Sequence, residues 1–97
     1  GAAVEGLDVE FLPGRMRLRV ARLGYGFLDL QDVLVEGALR AADGWPVFEA
    51  TRIEPNNLAT RVIPPLINQY LGWAASGWYV EDLRLEPGRL VLLARPA

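Results

Sequence analysis

Residues 6–20 read GLDVEFLPGRMRLRV, and this stretch decides how the chain begins to fold. Apolar and charged residues alternate on both sides of Pro13-Gly14, with the period of a half-buried strand. Proline supplies the negative φ and glycine the positive φ of a tight turn. We therefore predict a β-hairpin in which Leu12 faces Arg15 across the turn.

The register that follows separates apolar from charged residues. It pairs Leu7 with Val20, Val9 with Leu18 and Phe11 with Met16 on one face, and Asp8 with Arg19 and Glu10 with Arg17 on the other. Each cross-strand pair contributes only about 0.2–1 kcal/mol. All five pairs match in character, apolar with apolar and acidic with basic, so we predict this register together with the hairpin.

Residues 80–95, VEDLRLEPGRLVLLAR, predict a second hairpin around Pro87-Gly88. In it Leu85 lies opposite Leu90, and Leu83 lies opposite Leu92. Both hairpins contain the frame V-E-x-L, then P-G-R, then A-R. They are either a weak internal repeat or two hairpins that converged on one favourable turn.

The middle of the chain supplies further strands and one helix. Residues 27–41 are predicted to be extended, Asp43-Gly44 to turn, and residues 45–54 to return as a strand. The helix candidate is Asn57–Ser76, which Gly77 can end and in which Pro64-Pro65 predicts a kink or a restart. We expect an α+β fold: a curved antiparallel sheet of five to six strands, built from β-hairpins and wrapped on one long, Pro-kinked helix in the C-terminal half.

The length allows a single domain, residues 1–97. The sequence starts abruptly with Gly1-Ala2-Ala3 before the first strand, so we expect the natural protein to have a further N-terminal segment. No run of apolar residues is long enough to span a membrane.

Composition argues against catalysis. The chain contains no His, Cys or Lys, and all ten basic residues are Arg, which stays protonated. No His or Lys is present to activate Thr51, Thr60 or Ser76. The candidate carboxylate pairs, Glu49 with Glu54 and Glu81 with Asp82, lie at strand positions where an ordinary ion-paired face is expected. We predict a non-enzymatic protein with no catalytic residues, no metal site and no cofactor. A net charge of −2 without a basic stripe also argues against nucleic acid.

Apolar residues are in surplus for so small a domain. Counted with glycine and without tyrosine they fill 57 of 97 positions, about 59%, whereas about 45–50% is usual. Either Ala and Gly inflate this count, or apolar surface forms a patch or groove. The large rings are equally open to two interpretations, because they either pack helix against sheet or line a groove or dimer seam. They are Trp45, Phe48, Tyr70, Trp73, Trp78 and Tyr79.

The order of motifs resembles a known family. The first hairpin is followed by PNNL (55–58), VIPPLINQYL (62–71) and a closing hairpin with the pattern V-x-D-L-x-L-x-x-G-R-L-V-L-x-A-R (80–95). This order is similar to LmeA-type and YpmS-type bacterial envelope proteins, which are related in shape to tubular lipid-binding domains. The resemblance implies a curved sheet around a long helix, with an apolar groove for acyl chains.

The resemblance also implies a location and a set of ligand-binding residues. The location is the extracytoplasmic side of the bacterial cell envelope, with peripheral membrane contact. The implied groove residues are Leu58, Val62, Leu66, Ile67, Tyr70 and Leu71 from the helix, and Met16, Leu18, Val35 and Phe48 from the sheet. We expect a lipid or other hydrophobic molecule as the partner. The alternative is a structural or protein-interaction module whose apolar patch is buried in a homodimer or against an N-terminal region.

Overall fold

The computed structural model describes residues 2–97, which form six strands, a 3₁₀ turn and one α-helix. These are β1 (Ala2–Leu12), β2 (Arg15–Tyr25), β3 (Leu28–Ala42), β4 (Trp45–Glu54), the 3₁₀ turn Thr60–Val62, α1 (Ile63–Ala74), β5 (Trp78–Glu86) and β6 (Arg89–Pro96). Strands β1 to β4 form an antiparallel sheet in sequence order, the main sheet. Strands β5 and β6 pair separately as the C-terminal hairpin.

Both predicted hairpin registers are confirmed. In the first hairpin Leu12 faces Arg15, and the apolar and charged pairs follow as expected. In the second, Leu85 faces Leu90 and Leu83 faces Leu92. The glycine of each Pro-Gly turn, Gly14 and Gly88, has a φ of 72°, in the left-handed region that glycine enters without strain.

The predicted fold class is wrong. Strands hold 67% of the chain and helical turns only 16%, so no long helix is wrapped by a sheet. The expected single sheet of five to six strands is instead two antiparallel sheets, because β5 reaches the main sheet through one β-bridge, Gly44 to Val80. This division depends on how the C-terminal hairpin docks, which local alternation of residues does not encode.

The helix is short because two local features fix its start. Asn57 and Thr60 bond reciprocally, each backbone N–H donating to the other side chain (3.0 and 2.9 Å), and this holds a turn before the helix. Pro64 and Pro65 are the second and third residues of the helix, within the first turn, where a missing N–H leaves no intrahelical bond unmade. The prolines therefore begin the helix at Ile63, and the predicted kink does not form.

The C-terminal hairpin docks across one end of the main sheet. Val80 N–H donates to the carbonyl of Gly44 (2.8 Å), in the β3–β4 turn. At the β1–β2 turn, Gly14 N–H donates to Leu85 (3.1 Å), and Gly88 N–H donates to Phe11 (2.9 Å). These bonds bring Val80, Leu83 and Leu85 of β5 into the core, whose other buried members are Met16, Val33, Val35, Leu39, Phe48 and Ile63.

A crease crosses the main sheet at Gly6, Ala21 and Asp32. Gly6 and Asp32 have φ values of 65° and 52°, and Ala21 lies between them on β2. On β2 the apolar phase changes here, from even positions ending at Val20 to odd positions beginning at Leu23. The pairing register runs through without a shift, so the crease, rather than a bulge, keeps both apolar sets against the core.

Candidate functional site

An apolar groove of about 450 Å³ lies at the surface of the described structure. It lies between the end of α1, the C-terminal hairpin and the turn end of β3 and β4. Its lining residues are Leu39, Pro46, Leu71, Ala74, Ala75, Trp78, Val80, Leu83, Leu90, Leu92 and Ala94. None of these side chains is charged, so the groove offers hydrophobic contact and almost no polar recognition.

The hairpin wall of the groove depends on a bulge in β5. The register shifts between Val80 and Asp82, which leaves Glu81 as the extra residue. Because of this extra residue, Val80 and Leu83 point to the same face although three positions separate them. Their partners on β6, Ala94 and Leu92, extend that face beyond the core.

The β6 part of this wall is only partly covered. Leu90 and Leu92 are 40% and 53% exposed, whereas Leu83 and Leu85 opposite them on β5 are buried. Strand β5 packs against β1, β3 and β4, whereas β6 approaches the main sheet chiefly at β1, so the groove face of β6 stays partly exposed. The exposure of the groove therefore arises because the hairpin packs on the main sheet mainly through β5.

The helix wall is fixed by one amide side chain. Asn68 accepts a hydrogen bond from the backbone N–H of Phe48 (2.7 Å) and donates one to the carbonyl of Phe48 (3.0 Å). A single side chain thus binds both backbone groups of a β4 residue that is 2% exposed. This contact holds α1 beside β4 and sets the distance from Leu71, Ala74 and Ala75 to the hairpin.

Most of the large rings lie at the surface. Of the six noted in the sequence, Phe48 alone is buried. Trp78 is half exposed at the groove, and Tyr79 lies beneath the guanidinium of Arg95, 4.6 Å from its ring centroid. Tyr70 and Trp73 contact each other on the outer side of α1, with ring centroids 6.0 Å apart. Packing of helix against sheet therefore explains Phe48, and Arg95 covers Tyr79. The other four rings, Trp45, Tyr70, Trp73 and Trp78, are about half or more exposed.

The ten residues predicted to bind a ligand do not converge. Met16, Val35 and Phe48 are in the core; Leu18, Leu66 and Ile67 are half-buried; Leu58, Val62 and Tyr70 are exposed; and Leu71 lines the groove. Sequence reasoning missed the β6 residues Leu90 and Leu92. A signal was present in the run Leu90–Ala94, which is apolar at successive positions and would therefore expose apolar side chains on one face of any two-stranded sheet.

The opposite face of the main sheet is charged and centres on Glu36. Its carboxylate, 8% exposed at the side chain, accepts a hydrogen bond from Arg17 Nε (2.9 Å) and lies 4.0 Å from Arg15 Nη1. The hydrogen bond from Arg17 lowers the pKa of Glu36 below its ordinary value; burial opposes this shift, and the charges of Arg17, Arg15 and Arg52 add to it. This arrangement pairs the carboxylate with the guanidinium of Arg17, with Arg15 nearby.

No family model, curated protein or solved structure matches this chain. The likeness to LmeA-type and YpmS-type proteins therefore stays a prediction from the sequence. Within residues 2–97, no helix combines the length and apolar content that crossing a membrane requires.

Proposed function

We propose that the chain binds a lipid or another hydrophobic molecule in the groove and carries out no chemistry on it. The observation that supports this most directly is the lining, in which every side chain is apolar or aromatic. The volume of about 450 Å³ also falls in the range of small-molecule sites, about 300–1,000 Å³.

The chemistry of the lining favours a ligand with an apolar chain. Among the lining side chains, the indole N–H of Trp78 is the only conventional hydrogen-bond donor. A polar group buried in such a groove without partners would be unfavourable by about 1–3 kcal/mol. A bound lipid therefore keeps its head group at the open side, and its acyl chain contacts Leu83 and Leu92.

The residues on the outer side of α1 favour contact with a lipid surface, and that surface would be the source of the ligand. Val62, Leu66, Tyr70 and Trp73 recur at helical spacing, and α1 contains no charged residue. Trp73 is 75% exposed, and Trp and Tyr favour the boundary between water and hydrocarbon. We expect wild-type protein to sediment with phosphatidylcholine vesicles and Trp73→Ala to do so less; equal sedimentation of both would contradict this contact.

The bacterial envelope as the compartment is a proposal that rests on the sequence resemblance. Fractionation of cells that express the full-length natural protein tests it directly. We expect the protein outside the cytoplasmic fraction, and recovery in the cytoplasm would overturn this location without bearing on the groove itself.

Filling the groove tests ligand binding. Ala74 lines it and is exposed, so Ala74→Phe adds a ring inside the groove without disturbing the core. Gln69→Phe adds the same ring at an exposed position of α1 that does not line the groove. Titration with N-phenyl-1-naphthylamine is expected to show saturable binding to wild type and Gln69→Phe, and a Kd raised about tenfold in Ala74→Phe, because the ring occupies the ligand's volume.

Two results would contradict the proposal. One is the absence of saturable binding to the wild type. The other is equal affinity of the Ala74→Phe and Gln69→Phe variants, which would place the probe elsewhere on the surface.

A further inference from the structure

Strand β6 has an exposed edge that differs from every other sheet edge in residues 2–97. On β4, Asn68 binds the backbone of Phe48, and Pro46 lacks an N–H. Strand β5 is bonded to the turns of the main sheet. Strand β1 carries three acidic residues and the crease at Gly6, both of which discourage strand addition. The segment Leu90–Ala94 of β6 contains no charge, glycine, proline or bulge.

The turn geometry determines which backbone groups of β6 face outward. Glu86 and Arg89 flank the two-residue Pro87-Gly88 turn and pair with each other. Pairs beside such a turn are hydrogen-bonded, and bonded and non-bonded pairs then alternate along an antiparallel ladder. Leu90 and Leu92 therefore fall in non-bonded pairs, and their N–H and C=O groups point away from β5. An incoming strand would find these groups free.

Side chains on both faces of this edge are apolar and exposed. Leu90 and Leu92 lie on the groove face, and Leu93 on the opposite face is 58% exposed. A long apolar edge strand of this kind is a template for pairing with another chain. Backbone groups and side chains thus favour the same kind of partner, an extended strand.

The chain exposes more surface than a compact monomer of its mass. The accessible surface is 6327 Å², whereas a monomer of this mass has about 5,500 Å². The radius of gyration is 13.8 Å, against about 12.5 Å for a compact domain of this length. The excess of about 800 Å² belongs to the whole chain, and the exposed side chains of Leu90, Leu92 and Leu93 are part of it; a standard interface covers about this much surface on each subunit.

We propose that the occupant of this edge is β6 of a second copy of the chain. The two strands pair antiparallel about a two-fold axis at Leu92, so that Leu90 of each copy lies opposite Ala94 of the other. The joined hairpins form one four-stranded sheet, β5-β6-β6-β5. A two-fold contact of this kind closes with two copies and leaves neither β6 edge free.

Charges at the two ends of β6 are compatible with this pairing. The register places Arg89 of one copy opposite Arg95 of the other, a contact that would be unfavourable between free cations. Each Arg is already paired within its own copy: Arg89 Nε lies 2.6 Å from Glu86 Oε1, and Arg95 Nε lies 2.9 Å from Glu81 Oε1. The edge is thus locally neutral, and the dimer does not depend on a bound ligand.

Substitutions at Leu92 test the dimer. Sedimentation equilibrium at tens of micromolar is expected to give the wild type a mass twice its 10.7 kDa. Leu92→Pro removes the outward N–H without removing a bond to β5, so the fold is retained while two hydrogen bonds across the interface are lost. We expect its dimer Kd to exceed that of Leu92→Ala by about thirtyfold or more. Leu92→Ala is the matched control because it also lacks the Leu side chain but keeps the N–H.

A second variant keeps the test decisive if Leu92→Pro does not fold. Leu92→Lys retains the N–H, suits a side chain that is half exposed, and places two like charges across the axis. It is expected to be a folded monomer. A monomeric wild type, Leu92→Pro that dimerises as well as Leu92→Ala, or a dimeric Leu92→Lys would each overturn the proposal.

Discussion

The main sheet and the C-terminal hairpin each contain a Pro-Gly turn, but their edges and faces are covered to different extents. On the main sheet, Asn68 occupies the backbone of β4 and Arg17 pairs the buried carboxylate of Glu36. On the hairpin, β5 is bonded to the main sheet, whereas β6 has an open edge and a half-exposed apolar face. The comparison supports the proposal that the main sheet mainly stabilises the fold and that the hairpin provides the binding surface. On the main sheet, side chains pair the backbone of Phe48 and the carboxylate of Glu36, whereas the hairpin leaves an apolar edge and face exposed.

Removing the side-chain amide of Asn68, which binds the backbone of Phe48 at the edge of β4, should have the largest effect on stability. Asn68→Leu leaves both the N–H and the C=O of buried Phe48 without partners, so the free energy of unfolding should fall by about 2–4 kcal/mol in urea titrations. The matched control is Gln69→Leu on the exposed side of the same helix, with an expected change within about 0.5 kcal/mol. If both variants were equally stable, the β4 edge would not be closed by Asn68.

Replacing either of two glycines by alanine should change the free energy of unfolding, in opposite directions. A Cβ at Gly37 of β3 would lie 2.3 Å from the carbonyl oxygen of Glu49 and 2.6 Å from the Phe48 ring. Gly37→Ala should therefore lower the free energy of unfolding by about 1–3 kcal/mol. Gly72 in α1 has no atom within 4 Å of such a Cβ, so Gly72→Ala should raise it by about 0.5–1 kcal/mol. Thermal and urea unfolding of both variants measure these changes; a tolerated Gly37→Ala would contradict the tight contact between β3 and β4.

The charged face of the main sheet should give a smaller, pH-dependent effect. The hydrogen bond from Arg17 lowers the pKa of Glu36 in the folded protein, so the unfolded chain binds a proton more readily at this site. The stabilisation is therefore present above the ordinary pKa of 4.5 and is lost as pH falls through the lowered value. Urea titrations from neutral to acidic pH should show a loss of stability that is smaller in Glu36→Gln. An unchanged acid dependence in that variant would contradict a role for Glu36.

The two hairpins could be predicted from the sequence because their information is local. Alternation and a Pro-Gly turn specify which residues of each hairpin face one another, and the structure agrees at Leu12–Arg15 and Leu83–Leu92. The length of the helix could not be predicted in the same way. Pro64-Pro65 is compatible with a kink or a helix start, and the bonds between Asn57 and Thr60 decide for the start.

The sequence indicated the groove only indirectly, through the surplus of apolar residues, and did not give its position. Its position depends on three distant contacts, namely Asn68 with Phe48, Val80 with Gly44, and Gly14 with Leu85. These contacts decide that Met16 is buried and that Leu92 is exposed, although both occupy the apolar face of a confirmed hairpin. Residue type alone does not distinguish the two environments.

Amide hydrogen exchange of the wild-type protein, measured residue by residue at low and high concentration, compares the two sheets most directly. The N–H of Phe48 donates to Asn68 within one chain, so its exchange should be slow and independent of concentration. The N–H of Leu92 should exchange rapidly in dilute protein and become protected as the concentration rises, because its partner is a second chain. Exchange at Leu92 that is equally fast at all concentrations, or already slow in dilute solution, would contradict the account.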